Sequence, residues 1–184
     1  MKKIFITIAI VLFVQTLYAQ SDFILQAPFK SNYYISWTFG YYENYSTKKI
    51  ELHEGIDFAV RTGTPVYAAC EGTITEVSYN TELGNYIIIK HSNGFKTCYC
   101  NLQSFRRKIG EKVSTDDIIA TSGNTGISAG PHLCFRLYDL NNVAINPTKY
   151  FKELPEPNTP PDKELENSSF QEEEYTPELP FSEN

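Results

Sequence analysis

An all-β, antiparallel architecture, built as a sheet or a sandwich, is what this sequence predicts, and three observations lead there. Short runs of β-favouring residues recur between residues 33 and 150. Turn-forming residues separate them at close intervals. No long stretch carries the apolar period of a helix. With 41% hydrophobic and 14% aromatic residues in 184, the chain has enough apolar surface for one ordinary domain.

Residues 1–19 read as a secretory signal peptide. Lys2 and Lys3 form a positive start, Ile4 to Val14 is an almost unbroken apolar run, and Ala19 offers a cleavage point before Gln20. The run is short for a bilayer-crossing helix, so no transmembrane anchor is expected after cleavage. The expected location is therefore the periplasm, the cell envelope or the extracellular space, where thiols can oxidise. Residues 20–32 form an irregular lead-in.

The β domain is expected over residues 33–151. Its runs are Tyr33–Phe39, Val66–Ala69, Gly72–Tyr79, Asn85–His91, Lys96–Leu102, Ile118–Thr121 and Leu133–Tyr138. Between them stand Gly63-Thr64-Pro65, Leu83-Gly84-Asn85, Ser92-Asn93-Gly94 and Ser122-Gly123-Asn124, all turn signals. Residues 152–184 change character: six prolines and ten acidic side chains stand against few bases. Such a segment cannot offset its ordering entropy and is expected to be a disordered, solubilising tail. The net charge of −6 resides there, and residues 1–152 are close to neutral or slightly basic. Nucleic acid is not an expected partner.

Only three histidines occur: His53, His91 and His132. In His53-Glu54-Gly55-Ile56-Asp57 the imidazole and the carboxylate stand four apart, and on an extended stretch both point to one side, towards a common metal. In His132-Leu133-Cys134 two further donors alternate onto one strand face. In Cys98-Tyr99-Cys100-Asn101-Leu102, alternation puts Tyr99 and Asn101 on one face. It sends Cys98 and Cys100 to the opposite, core-facing side. His91, at the end of an apolar strand, reads as structural.

These segments, with Ile35 to Tyr41, Gly63 to Gly72, Asn85 to Gly94 and Gly123 to Leu133, resemble in order the lysostaphin-type zinc endopeptidases of metallopeptidase family M twenty-three. The resemblance covers roughly residues 33–150. It implies an antiparallel β domain with a zinc at the floor of a long groove, acting on the peptide cross-links of peptidoglycan. It also implies that the zinc ligands fall on His53, Asp57 and Cys134 and the catalytic positions on His132 and Asn101. Two of these depart from the family's pattern, which has histidine where Cys134 and Asn101 stand. Arg136 stands where a glutamate is common, and Tyr42 where an arginine is usual. A thiolate and Asp57 together formally cancel the charge of Zn²⁺ and make it a weaker Lewis acid. An amide at 101 donates hydrogen bonds but does not shuttle protons near neutral pH. Two readings remain open: a peptidase with weakened or lost hydrolysis, and a non-catalytic regulator that binds the wall, activates an amidase or meets an envelope protein partner through the same groove.

Overall fold

The computed structural model describes residues 23–30, 32–44 and 47–155; the signal-peptide reading and most of the acidic tail lie outside them. Among the described residues the fold is almost wholly β, as expected. In chain order the strands are β1 (Tyr34–Trp37), β2 (Gly40–Glu43), β3 (Ile50–His53), β4 (Gly55–Ala59), β5 (Pro65–Tyr67) and β6 (Gly72–Asn80). They continue with β7 (Gly84–Lys90), β8 (Lys96–Phe105), β9 (Lys112–Val113), β10 (Ile118–Ser122), β11 (His132–Tyr138) and β12 (Ala144–Ile145). One 3-10 turn, Pro147–Tyr150, follows. The β runs expected from sequence all coincide with strands, whereas β2, β3, β4, β9 and β12 are additions.

Ten strands form one antiparallel sheet whose main path is β1-β4-β11-β8-β7-β6-β9, with β5, β10 and β12 attached at its sides. The hairpin β2-β3 forms a separate two-stranded sheet. The centre of the large sheet is β4-β11-β8. Its register places Asp57 opposite Cys134 and Cys134 opposite Cys100. Ile56 stands opposite Phe135, and Phe135 opposite Tyr99. Paired residues share a face and successive residues alternate, so these two rows point to opposite sides of the sheet.

The second row builds the core. Ile56, Phe58, Phe135, Leu133 and Tyr99 are fully buried there. Phe135 makes edge-on contacts with Tyr99 and Phe58, at centroid distances of 5.2 and 6.4 Å. Tyr99 keeps its hydroxyl satisfied by accepting from the Ala69 amide at 2.8 Å. It stands in the core, not on the face of Asn101 that strict alternation assigns it. The reason is local: Asn101 adopts φ +59°, and the pairing of β7 with β8 skips between Asn85 and Ile87. A bulge of this kind breaks the two-residue period.

The lead-in is irregular but integral to this core. Leu25 is fully buried, bridges to Phe151, and its amide donates to the Tyr150 carbonyl at 2.7 Å. Phe29 packs edge-on against Phe58 at 5.8 Å. Leu25→Ala is expected to destabilise the protein by about 2–5 kcal/mol, as a buried leucine deletion does; a denaturant midpoint unchanged from wild type would show the segment to be dispensable.

His91 is structural in its contacts. Its Nδ1 lies 2.6 Å from the Glu71 carbonyl, and its Nε2 lies 2.9 Å from the Thr97 hydroxyl. Burial outweighs the Glu71 contribution and lowers its pKa. An imidazole that is harder to protonate folded than unfolded contributes stability above its ordinary pKa, about 6.5. That contribution is lost as pH falls from there towards the lower folded value. Thermal melts of wild type and His91→Asn should therefore converge as pH falls below about 6.5, and a constant gap across that window would contradict the assignment.

Candidate metal centre

The groove face of β4-β11-β8 carries the opposite row of side chains. His132, Cys134 and Arg136, two apart on β11, stand beside Ala59, Asp57 and Gly55 of β4. The groove holds about 830 Å³ and is lined by all of these but Gly55, together with His53, Cys100, Asn101 and the 127–131 loop. Gly55 is required by this packing. A Cβ there would stand 2.7 Å from the Phe135 carbonyl and 3.0 Å from the Cys134 sulfur.

His53 reaches the same floor from another sheet. β3 ends at His53 and β4 begins at Gly55, so the chain passes from hairpin to main sheet between the two donors. Its convergence with Asp57 thus comes from this junction and not from one continuous strand. The ring lies beside Trp37 at 5.0 Å, and Nδ1 sits 2.9 Å from the Thr38 carbonyl. A carbonyl only accepts, so Nδ1 carries the hydrogen and Nε2 presents its lone pair to the floor.

The His53 Nε2, an Asp57 carboxylate oxygen and the Cys134 sulfur all lie within 4.8 Å of one another. His53 Nε2 is 3.1 Å from Asp57 Oδ1 and 3.8 Å from Cys134 Sγ. Asp57 Oδ1 is nevertheless buried without a hydrogen-bond partner. At this distance a protonated Nε2 forms an ion pair with the carboxylate, whereas a deprotonated Nε2, as a metal ligand must be, sets two lone pairs against each other. A buried carboxylate oxygen left unsatisfied in this way is costly unless a cation meets it. Burial opposes protonation of His53, yet hydrogen bonding and charge from Asp57 and Cys134 prevail and raise its pKa to about 10. The Cys100 contact and burial push the Cys134 thiol well above its ordinary range, and a coordinated metal deprotonates such a thiol outright. The donor set of imidazole, carboxylate and thiol suits zinc, with a further position open towards the groove.

His132 flanks the cluster. Its Nδ1 is 2.8 Å from the Gly130 carbonyl, which fixes the hydrogen there and leaves Nε2 facing Asp57 Oδ2 at 3.9 Å. Asn101 is nine-tenths buried or more, and its amide nitrogen donates to the Thr125 carbonyl at 2.7 Å. That bond ties the bulge of β8 to the loop before His132. Arg136 donates to Glu54 at 2.7 Å and to Glu82 at 3.0 Å, and Tyr42 donates to Glu51 at 3.0 Å.

Cys98 and Cys100 are not on the core side. They pack with Cys134 and Tyr86 in a second buried cluster on the groove side. The bulge at Asn101 is again the reason, because alternation counted back from Asn101 gives the wrong face. Sequence reasoning also missed Trp37, the Thr38 carbonyl and the Glu54–Arg136–Glu82 clamp. Only Trp37, the single tryptophan of the chain, left any signal in the sequence.

A groove-floor cluster of three metal-competent donors, with a fixed-tautomer histidine beside it, is the arrangement of a mononuclear metal-dependent hydrolase. The chain belongs to Peptidase family M23, whose family model matches residues 51–147. It is 41% identical over 101 residues to the peptidoglycan DD-endopeptidase ShyC of Vibrio cholerae, covering 55% of this chain and 23% of that protein. It is 37% identical over 122 residues to the DD-carboxypeptidase/endopeptidase Mpg of Neisseria meningitidis, covering 66% of this chain and 28% of that one. Among solved structures, a zinc-containing peptidase from V. cholerae superposes with a TM-score of 0.65 at 31% identity, over 72% of this chain and 41% of that one. The catalytic domain of lysostaphin from Staphylococcus simulans gives 0.59 at 31%, over 64% of this chain and 91% of that one. The chain spans a third or less of the length of the curated relatives it matches.

Removal of the Asn101 side chain should loosen the 124–130 loop. Asn101→Ala loses the bond to Thr125 and strains a positive φ, a cost of about 1–3 kcal/mol. Hydrogen exchange confined to that loop should rise in Asn101→Ala, and unaltered exchange there would remove Asn101 from this positioning role.

Proposed function

We propose that this protein is an exported, zinc-binding member of its family directed at the peptide cross-links of peptidoglycan, with hydrolysis weakened or lost. The observation that carries the proposal is the unsatisfied Asp57 oxygen, turned with His53 Nε2 and Cys134 Sγ towards one point on the groove floor. His53, Asp57 and Cys134 would hold the metal. When bound, zinc would supply Lewis acidity towards a peptide carbonyl, less than with a neutral third ligand because two of the three donors are anionic.

The rest falls to the chain's own side chains. His132 presents an unprotonated Nε2 to the groove and is the one group there suited to accept a proton from an attacking water. Asn101 has no proton to exchange near neutral pH, and its amide donor is committed to Thr125. A single acid–base group must then serve both bond making and leaving-group departure, and the loss of one such group costs about 10²–10⁴-fold in rate. The relatives' names, peptidoglycan DD-endopeptidase and DD-carboxypeptidase/endopeptidase, support the choice of substrate. The basic start and apolar run before Ala19 support export. If hydrolysis is wholly lost, the groove is a binding surface for the wall or for an envelope protein.

Protein purified in reductant without chelator is expected to carry about one zinc per chain, by the three-ligand logic of such sites. Asp57→Ala should carry none. Metal-free wild type that is fully folded would sink the metal assignment. The double substitution Asn101→His with Cys134→His should hydrolyse purified peptidoglycan about 10²–10⁴-fold faster than wild type. Equal rates in the two proteins would contradict a weakened site.

A further inference from the structure

Among the described residues all four cysteines are free, and three of them, Cys98, Cys100 and Cys134, are buried together. The hydrolytic reading uses Cys134 alone. Cys100 and Cys134 are register partners, directly opposite each other on β8 and β11. Opposite residues of an antiparallel pair have Cα atoms about 4.5–5.5 Å apart, within the span of a disulfide, about 4.4–6.8 Å. Both side chains lie on the groove face of the sheet. Cys98 touches Cys100 as well, sulfur to sulfur at 3.3 Å. Two steps along a strand, however, separate their Cα atoms by about 6.6 Å, at the upper edge of that span. Access separates the pairs too: Cys100 and Cys134 line the groove, and Cys98 does not.

We infer that Cys100 is a thiol partner for Cys134, and that closing the cross-strand disulfide takes the thiol donor out of the metal centre. The inference rests on the metal reading above. The oxidant is a small-molecule disulfide of the glutathione class. One protein thiol attacks its S–S bond and releases a first glutathione thiol. The second protein thiol then attacks the mixed disulfide and releases the other. One S–S bond forms and one breaks; two electrons pass from the cysteine sulfurs to glutathione, and two protons follow. The product leaves His53 and Asp57 as the only donors, one fewer than a stable zinc site uses. A bound metal and the disulfide therefore compete for the same sulfur, so metal protects the thiols and oxidation expels the metal.

The test treats the full chain, zinc-loaded and chelator-stripped, with glutathione disulfide, then alkylates, digests without reduction and maps the peptides by mass. The expected result is a Cys100–Cys134 link with Cys98 alkylated, formed faster in the stripped protein, and zinc release to a chromophoric chelator that tracks the link. Cys100→Ser and Cys100→Ala should both keep their zinc under the oxidant, while Cys98→Ser should lose it like wild type. A Cys98–Cys100 link, no link at all, or zinc loss from both Cys100 variants equal to that of wild type would each overturn the inference. Reduced protein that takes up no zinc would instead sink the metal reading, and the peptide map alone would still decide the disulfide.

Discussion

The register of β4, β11 and β8 is the constraint on which the rest depends. Asp57, Cys134 and Cys100 form one row across three strands because Ile56, Phe135 and Tyr99 form the next. Slipping β11 by one residue would turn Phe135 into the groove and Cys134 into the core. The aromatic contacts of Phe135 with Tyr99 and Phe58, and the Tyr99 hydroxyl beneath Ala69, hold the register from the buried side. Core packing and chemistry are therefore two faces of one alignment, and the site inherits its precision from residues that never touch it.

Electrostatics on the open face follow from what that alignment gathers. Asp57 is 8% exposed, and an unpaired carboxylate at that depth is expensive. Both flanking histidines spend their Nδ1 hydrogens on backbone carbonyls, of Thr38 and Gly130. Neither Nδ1 hydrogen is thereby aimed at the carboxylate, so Asp57 is met through Nε2 of His53, 3.1 Å away. With the His53 pKa raised to about 10, a proton on Nε2 is that partner in the metal-free site, and a bound cation would take its place. Arg136 does not fill that role, since its guanidinium is drawn off to Glu54 and Glu82.

Much of this was legible in the sequence, because strands report themselves by turn residues and β-favouring runs. The seven expected strands were found, and so was the pairing of His53 and Asp57, although through a crossing between two sheets. The misplaced face of β8 traces to one residue. Asn101 at φ +59° inserts a bulge into β8, and alternation read across it misplaced Tyr99, Cys98 and Cys100 together. Nothing in Cys-Tyr-Cys-Asn-Leu announces a bulge, since Asn tolerates a left-handed conformation without requiring it. The lead-in was underestimated for a different reason: Leu25 and Phe29 are isolated apolar residues without a period, yet tertiary packing seats both in the core.

The bulge at 101 and the regular register at 134 explain how each position can hold either residue type without dismantling the site. Left-handed φ is disfavoured for most L residues, but Asn, Asp and His are several-fold enriched there. Asn and His are therefore interchangeable at 101 as far as the backbone is concerned, and the Thr125 carbonyl accepts from either an amide or a ring N–H. Cys134 is set by its strand register, which no side chain at that position dictates. Each exchange alters proton chemistry or ligand charge while the scaffold keeps its geometry. Under the proposed reading, the bond from Asn101 to Thr125 is what an amide supplies there, a tie on the loop that leads to His132. A side chain without a proton to exchange can still hold that loop, so retention of the fold says little about the chemistry.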